Sequence, residues 1–221
     1  MPRSPVPDVP SQYGGYTPKN YYPTYDGLVP ADEALARSLN VPAVRMLEQY
    51  GVGRFKQKLQ SLGLTTLHRP ASDYGLTLIL GGAEASLWDL AGVYAGMARS
   101  LDQHVANRGR SAAGAFRPPH LLPLKEDEQE TWTETPLLSS GAIWHTFNAM
   151  VELNRPEAES GWRSFASSRR LAWKTGTSFG FRDAWAIGCN RQHVVAVWVG
   201  NADGEGRPGI IGVEAAAPAY V

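Results

Sequence analysis

Late in this chain the apolar residues change their spacing, and that change limits the possible fold more than any other feature of the sequence. Between residues 30 and 154 they recur at helical intervals. After Leu171 they come instead as short runs: Leu171-Ala172-Trp173, Ala184-Trp185-Ala186-Ile187 and Val194 to Val199, with Gly, Asn and Arg between them. Helices followed by closely spaced strands define an α+β layer fold, a helical cluster packed on an antiparallel sheet. Asn190-Arg191-Gln192 is a hairpin-sized connection between the last two strands. His193 to Val199 is apolar on both faces, which predicts a strand covered on both sides.

The helical part can be divided further. Asp32 and Glu33 suit a first turn after Pro30, and Ala34, Leu35 and Leu39 form its apolar stripe. A break is expected near Asn40, because Val41 precedes a proline and is biased away from helical angles. Pro42 then fits the first turn of a second helix that stops near Gly51. Val52, Phe55, Leu59 and Leu62 give a third helix ended by Gly63. Ser86 with Asp89 reads as a capping box for a helix buried through Leu87, Leu90, Val93, Tyr94 and Met97. Ser139 or Ser140 caps another through Trp144, Phe147, Met150 and Val151. The acidic run Lys125 to Glu130 reads as a solvated loop. Residues 1–29, rich in proline and holding five tyrosines, read as an extended lead-in whose aromatics pack on a neighbouring surface. A proline-broken start at Met1 to Pro7 is a poor way to begin a compact fold.

Composition narrows the function. With 21 basic and 21 acidic residues the net charge is zero, so nothing draws the chain broadly to nucleic acid or anionic lipid. No apolar run approaches the roughly 18 residues of a membrane span. The single cysteine, Cys189, excludes an internal disulfide and any CxxC motif, and it reads as a small core residue. His68, His104, His120, His145 and His193 lack paired ligand spacing, so no metal site and no cofactor is expected. Function should sit in a local cleft.

Two short segments could line one. Lys174-Thr175-Gly176-Thr177-Ser178 combines an ammonium, three hydroxyls and a glycine that lets a ligand approach the backbone, which makes a cradle for a carboxylate. Taken alone it is equally a strand running into a turn. Ser38-Leu39-Asn40 lies at the helix break, where a hydroxyl can relay a proton and an amide can hold a carbonyl. Taken alone it is a helix end whose polar side chains satisfy free backbone groups.

Together, S-x-N and K-T-G are two of the three motifs of penicillin-binding proteins and serine β-lactamases. The chain resembles the transpeptidase domain of class A, bifunctional penicillin-binding proteins of the 1C type, from about Tyr13 to Pro218. Gly14 to Tyr21, Glu33 to Arg45, Leu80 to Glu84, Lys174 to Ala186 and Val197 to Asn201 carry the resemblance in matching order. It implies a penicillin-binding/β-lactamase-like transpeptidase fold that binds a D-Ala-D-Ala stem peptide of peptidoglycan, or a β-lactam that mimics it. It also implies work at the periplasmic face of the bacterial inner membrane, with no nucleic-acid partner. By that resemblance Ser38, Asn40 and Lys174 are catalytic: Ser38 passes a proton to the leaving amine, Asn40 holds the donor peptide and Lys174 supports Ser38. Thr175, Gly176, Thr177 and Ser178 form the substrate cradle, with the Thr177 amide as an oxyanion donor.

The third motif, S-x-x-K, supplies the nucleophilic serine, and no serine of this chain has lysine three positions on. The expectation is a single domain incomplete at its N-terminus, with 1–29 as lead-in and 30–221 as its C-terminal part. That part is helical over 30–154 and sheet over 169–200, lacks nucleophile, glycosyltransferase domain and anchor, and is inactive alone. The alternatives are a non-catalytic pseudo-enzyme fragment that binds peptide or a partner, and a β-lactamase-like hydrolase.

Overall fold

The computed structural model describes residues 2–107, 109–112, 114–121, 132–133, 135–152 and 171–219. The acidic run over 125–130, the end of the expected helical region at 153–154 and the expected sheet start at 169–170 lie outside the described residues.

The proline-rich start is folded, contrary to the sequence expectation. Strand β1 (Pro5–Asp8) pairs antiparallel with β2 (Gly27–Pro30), in a register from Pro5↔Pro30 to Asp8↔Gly27. Proline is tolerated because a two-stranded ribbon is all edge, with one side of each strand needing no donor. Val6 and Val29 face each other across the ribbon and are buried. Tyr13 and Tyr16 close a small bridge and are half-buried, whereas Tyr21 and Tyr22 stand 60% and 73% exposed and glue nothing.

Helix α1 (Ala31–Ala36) follows β2 directly, then Arg37 to Leu39 turn the chain into α2 (Asn40–Tyr50). The break therefore falls just before Asn40, and Pro42 sits in the first turn of α2 as its missing N–H permits. Helix α3 (Val52–Ser61) presents Val52, Phe55 and Leu59 to a cluster built on Leu47, Leu64, Leu67, Tyr74 and Leu78. The last two come from a short helix α4 (Ala71–Tyr74) and a 3₁₀ turn (Gly75–Leu80), neither of which has a periodic signature.

Helix α5 runs from Leu87 to Ala106, well beyond its expected apolar stripe. Ser86 caps it, its hydroxyl accepting from Asp89 N at 3.0 Å. The capping box is only half made. The Asp89 carboxylate accepts instead from Thr65 N and Thr65 Oγ1 at 2.9 and 2.7 Å, tying α5 to the loop after α3. Beyond α5, β3 (Ser111–Ala112) pairs with β4 (Trp132–Thr133), and α6 (Ser140–Val151) is capped by Ser139, whose hydroxyl accepts from Ala142 N.

The main sheet is antiparallel in the order β5 (Ala172–Thr177), β6 (Asp183–Cys189), β7 (Val194–Gly200). Alternation along the strands separates two faces. Trp173, Ala184 and Ala186 are buried on one, against Ala216 and Ala217 of a π-helical turn (Gly212–Ala216) and the residue after it. Lys174 lies on the other face, toward α1. The Asn190 side chain closes the β6–β7 hairpin by accepting from Gln192 N and His193 N at 2.8 Å each. Cys189 is buried in β6 as a core residue, and burial pushes its thiol up to about 12. Strand β7 departs from expectation: none of its residues is fully buried, and Val195 and Trp198 are 41% and 38% exposed.

Candidate functional site

Helix α1 ends in a tight reversal that places Ser38. Leu39 N donates to Ala34 O at 2.9 Å and Ser38 N to Leu35 O at 3.1 Å, the paired bonds of a Schellman ending. The residue at the hinge of that motif must adopt left-handed angles, and Ser38 does so with φ 57. Glycine is the usual occupant, because a side chain there costs on the order of 1 kcal/mol. The strained turn lifts the Ser38 hydroxyl off the helix end and toward β5.

There it meets Lys174, whose Nζ donates to Ser38 Oγ and also to Thr175 O at 2.8 Å. The two side chains lie 136 positions apart in sequence, so the fold alone brings the two motifs together. Burial pushes the Lys174 ammonium down to about 8, since a shielded charge is disfavoured. An amine near that value exchanges a proton with a neighbouring hydroxyl at modest cost, which suits a relay.

Asn40 is the first residue of α2, and its Nδ2 donates to Lys19 O at 2.9 Å, which fixes the amide plane. Thr175 and Gly176 are half-buried on β5 beside Lys174. Thr177 Oγ1 accepts from Gly212 N at 2.9 Å. With one lone pair so occupied, its hydroxyl proton remains available for an incoming carboxylate. Gly212 must be glycine for this approach: a Cβ there would lie 2.5 Å from Gly176 O and 2.9 Å from Trp185 O.

Ser178 is placed differently from the rest of the cradle. Its Oγ donates to Asp183 Oδ2 and accepts from Asp183 N, both at 2.8 Å, so the hydroxyl closes the β5–β6 turn. Asp183 Oδ1 takes a further bond from Trp198 Nε1 at 2.9 Å, which locks the turn to β7. The Arg182-Asp183 pair noted in the sequence thus contributes its carboxylate to the turn. Phe179 at the tip is 98% exposed.

A second layer of residues supports Ser38-Leu39-Asn40. Asn20 Oδ1 accepts from Asn40 N at 3.0 Å and from Val41 N at 3.2 Å, capping α2 from a loop 20 residues upstream. Asp8, fully buried at the end of β1, accepts from Asn20 Nδ2 at 2.8 Å and from Asp26 N at 3.0 Å. Arg37 bonds Asp26 and Glu33, joining the same loop to α1. Sequence reasoning passed over Asn20 and Asp8; the one local hint was a helix start with no capping side chain at Leu39.

An α+β domain with a strand-borne Lys-Thr-Gly touching a helix-end Ser-x-Asn has the fold of penicillin-binding proteins. Solved structures of that class share it. PonA1 from Mycobacterium tuberculosis, in complex with penicillin V, superposes with TM-score 0.67 at 22% identity, covering 95% of this chain and 59% of that one. Penicillin-binding protein 1A from Haemophilus influenzae gives TM-score 0.67 at 19% identity, covering 100% of this chain and 37% of that one. No family model matches the sequence. Among curated proteins, penicillin-binding protein 1C of Escherichia coli (strain K12) is 40% identical over 217 residues, 98% of this chain and 26% of that protein. Penicillin-binding protein 1B of Vibrio cholerae is 29% identical over 88% of this chain and 24% of its own length. The chain belongs to the class A penicillin-binding proteins, and it spans about a quarter of the length of these curated relatives.

Among the described residues, no helix is long and apolar enough to cross a membrane.

Proposed function

We propose that this chain forms the carboxylate-binding and proton-relay wall of a peptidoglycan D,D-transpeptidase site. The observation that carries the reading is the contact between Lys174 and Ser38, at the mouth of a strand whose threonines carry free donor capacity. In the reaction a serine oxygen attacks the carbonyl of the penultimate D-Ala, an ester forms, and the C–N bond to the terminal D-Ala breaks. The departing amine takes the proton of the Ser38 hydroxyl, and Lys174 returns one to Ser38. Thr175 and Thr177 hold the terminal carboxylate, Gly176 leaves room for the peptide backbone, and Asn40 orients the donor carbonyl. An amine from a second stem peptide then attacks the ester and completes the cross-link.

The attacking serine comes from outside these 221 residues, since no S-x-x-K occurs within them. By itself the chain therefore holds a β-lactam or D-Ala-D-Ala carboxylate without bonding to it. The family's setting, the outer face of the bacterial inner membrane, is part of the same proposal.

Incubation of the chain with penicillin, followed by intact-mass spectrometry and equilibrium binding, tests this. The expected result is saturable binding with no mass increase, weakened roughly 10- to 100-fold in Lys174→Ala, the range for losing one charge-assisted hydrogen bond. A covalent adduct, or undiminished binding by Lys174→Ala, would overturn it.

A further inference from the structure

We infer that Asn20 is a positioning residue for Ser38 and Asn40, acting through a buried relay that begins at Asp8. The inference rests on the transpeptidase reading of those two residues, but its geometry stands apart from any ligand.

Helix α2 begins at Asn40, and its first amide groups have no partner inside the helix. Leu39, at the capping position, has no side-chain acceptor to offer. Asn20 fills that role from elsewhere in the chain, its Oδ1 accepting from both Asn40 N and Val41 N. One end of the Ser38-Leu39-Asn40 turn is therefore held by the Schellman bonds of α1 and the other by Asn20. Ser38 lies between the two anchors in a left-handed conformation that a free chain would abandon.

The orientation of the Asn20 amide is itself specified. Its Nδ2 donates to Asp8 Oδ1 at 2.8 Å and to Thr24 O at 3.0 Å, so only its oxygen can face α2. Asp8 is 0% exposed, and its other oxygen is held by Asp26 N. The adjacent residue, Lys19, adds its carbonyl to the Asn40 side chain. One short loop thus grips both the backbone and the side chain of Asn40. A carboxylate, an amide and two backbone N–H groups form a chain with its donors and acceptors in fixed order, and that order gives the test.

Asn20→Asp places two carboxylates together and removes the donor between them. Adding Asp8→Asn restores a donor–acceptor pair with the polarity reversed, while the new carboxylate at position 20 still accepts from Asn40 N and Val41 N. The chain has five lysines, so ¹⁵Nζ titration by NMR, assigned with Lys174→Arg, reads the site directly. Hydrogen exchange at the Asn40 and Val41 amides reads the cap.

The expected result for Asn20→Ala and Asn20→Asp is exchange at both amides faster by at least tenfold, with Lys174 titrating closer to the ordinary lysine value as water reaches it. The Asp8→Asn/Asn20→Asp pair should return both readings to those of the unsubstituted chain. The inference is overturned if a folded Asn20→Ala keeps Lys174 near 8. It is equally overturned if the paired swap folds, by circular dichroism, yet leaves Lys174 unrestored. Neither readout involves penicillin or peptide, so failure here is separate from failure of the proposed function.

Discussion

Ser38 occupies a backbone position that glycine normally fills, and its hydroxyl is the reason to keep it. The Schellman ending of α1 needs left-handed angles there, and any side chain raises the cost. The contact with Lys174 uses the resulting direction of Oγ. Ser38→Gly should therefore relieve strain while emptying the site. We expect stabilisation of about 1 kcal/mol, or roughly 2–4 °C in Tm for a chain of this size, with loss of β-lactam binding. Thermal denaturation beside a binding isotherm checks both, and a Ser38→Gly variant that melts lower than the parent contradicts the strain argument. At this scale the sequence was informative where function lies in short motifs: Ser38, Asn40, Lys174 and Thr175 to Thr177 were all legible. Asn20 and Asp8 were not, because a side chain capping a helix 20 residues away leaves no local spacing to read. Ser178 was read as part of the cradle, and its bonds to Asp183 could only be seen once the turn was closed.

Among the elements, the π-helical turn over Gly212 to Ala216 does most to shape the cradle from behind. It buries Ala216 against Trp173, Ala184 and Ala186, and it brings Gly212 N to Thr177 Oγ1. Both close neighbours of Gly212 are backbone oxygens, which cannot swing aside. Gly212→Ala should cost about 1–3 kcal/mol from overpacking and displace the Thr177 hydroxyl, measurable as a lower urea midpoint with weakened ligand binding. Unchanged stability would mean that the turn is free to move away from β5. Periodicity revealed α2, α3, α5 and α6 because each buries one stripe, and β5 to β7 because their apolar runs are short and separated by turn residues. It missed β1 and β2, whose prolines argue against a strand unless the strand is an edge. It overstated the cover on β7, since alternation cannot distinguish two buried faces from two half-buried ones.

On the scale of the whole molecule, two motifs 136 positions apart meet across the junction of the helical cluster and the sheet. The helical layer delivers a hydroxyl on a strained turn, and the sheet delivers an ammonium and two threonines on one strand. Neither half binds a carboxylate alone, which is why the α+β division and the site were legible together. The charge on Lys174 sets the sign of the pH response. Its ammonium titrates at about 8, so the attraction for a carboxylate is full below that pH and fades as the pH rises through it. The most direct test is a ¹H–¹⁵N NMR titration of the chain with an N-acetylated peptide ending in D-Ala-D-Ala, run beside the same peptide as its C-terminal amide. The account predicts saturable shifts centred on the amides of Thr175 and Thr177 for the acid, at least tenfold weaker binding of the amide, and loss of that preference well above pH 8. Equal binding of acid and amide, or shifts that bypass β5, would contradict it.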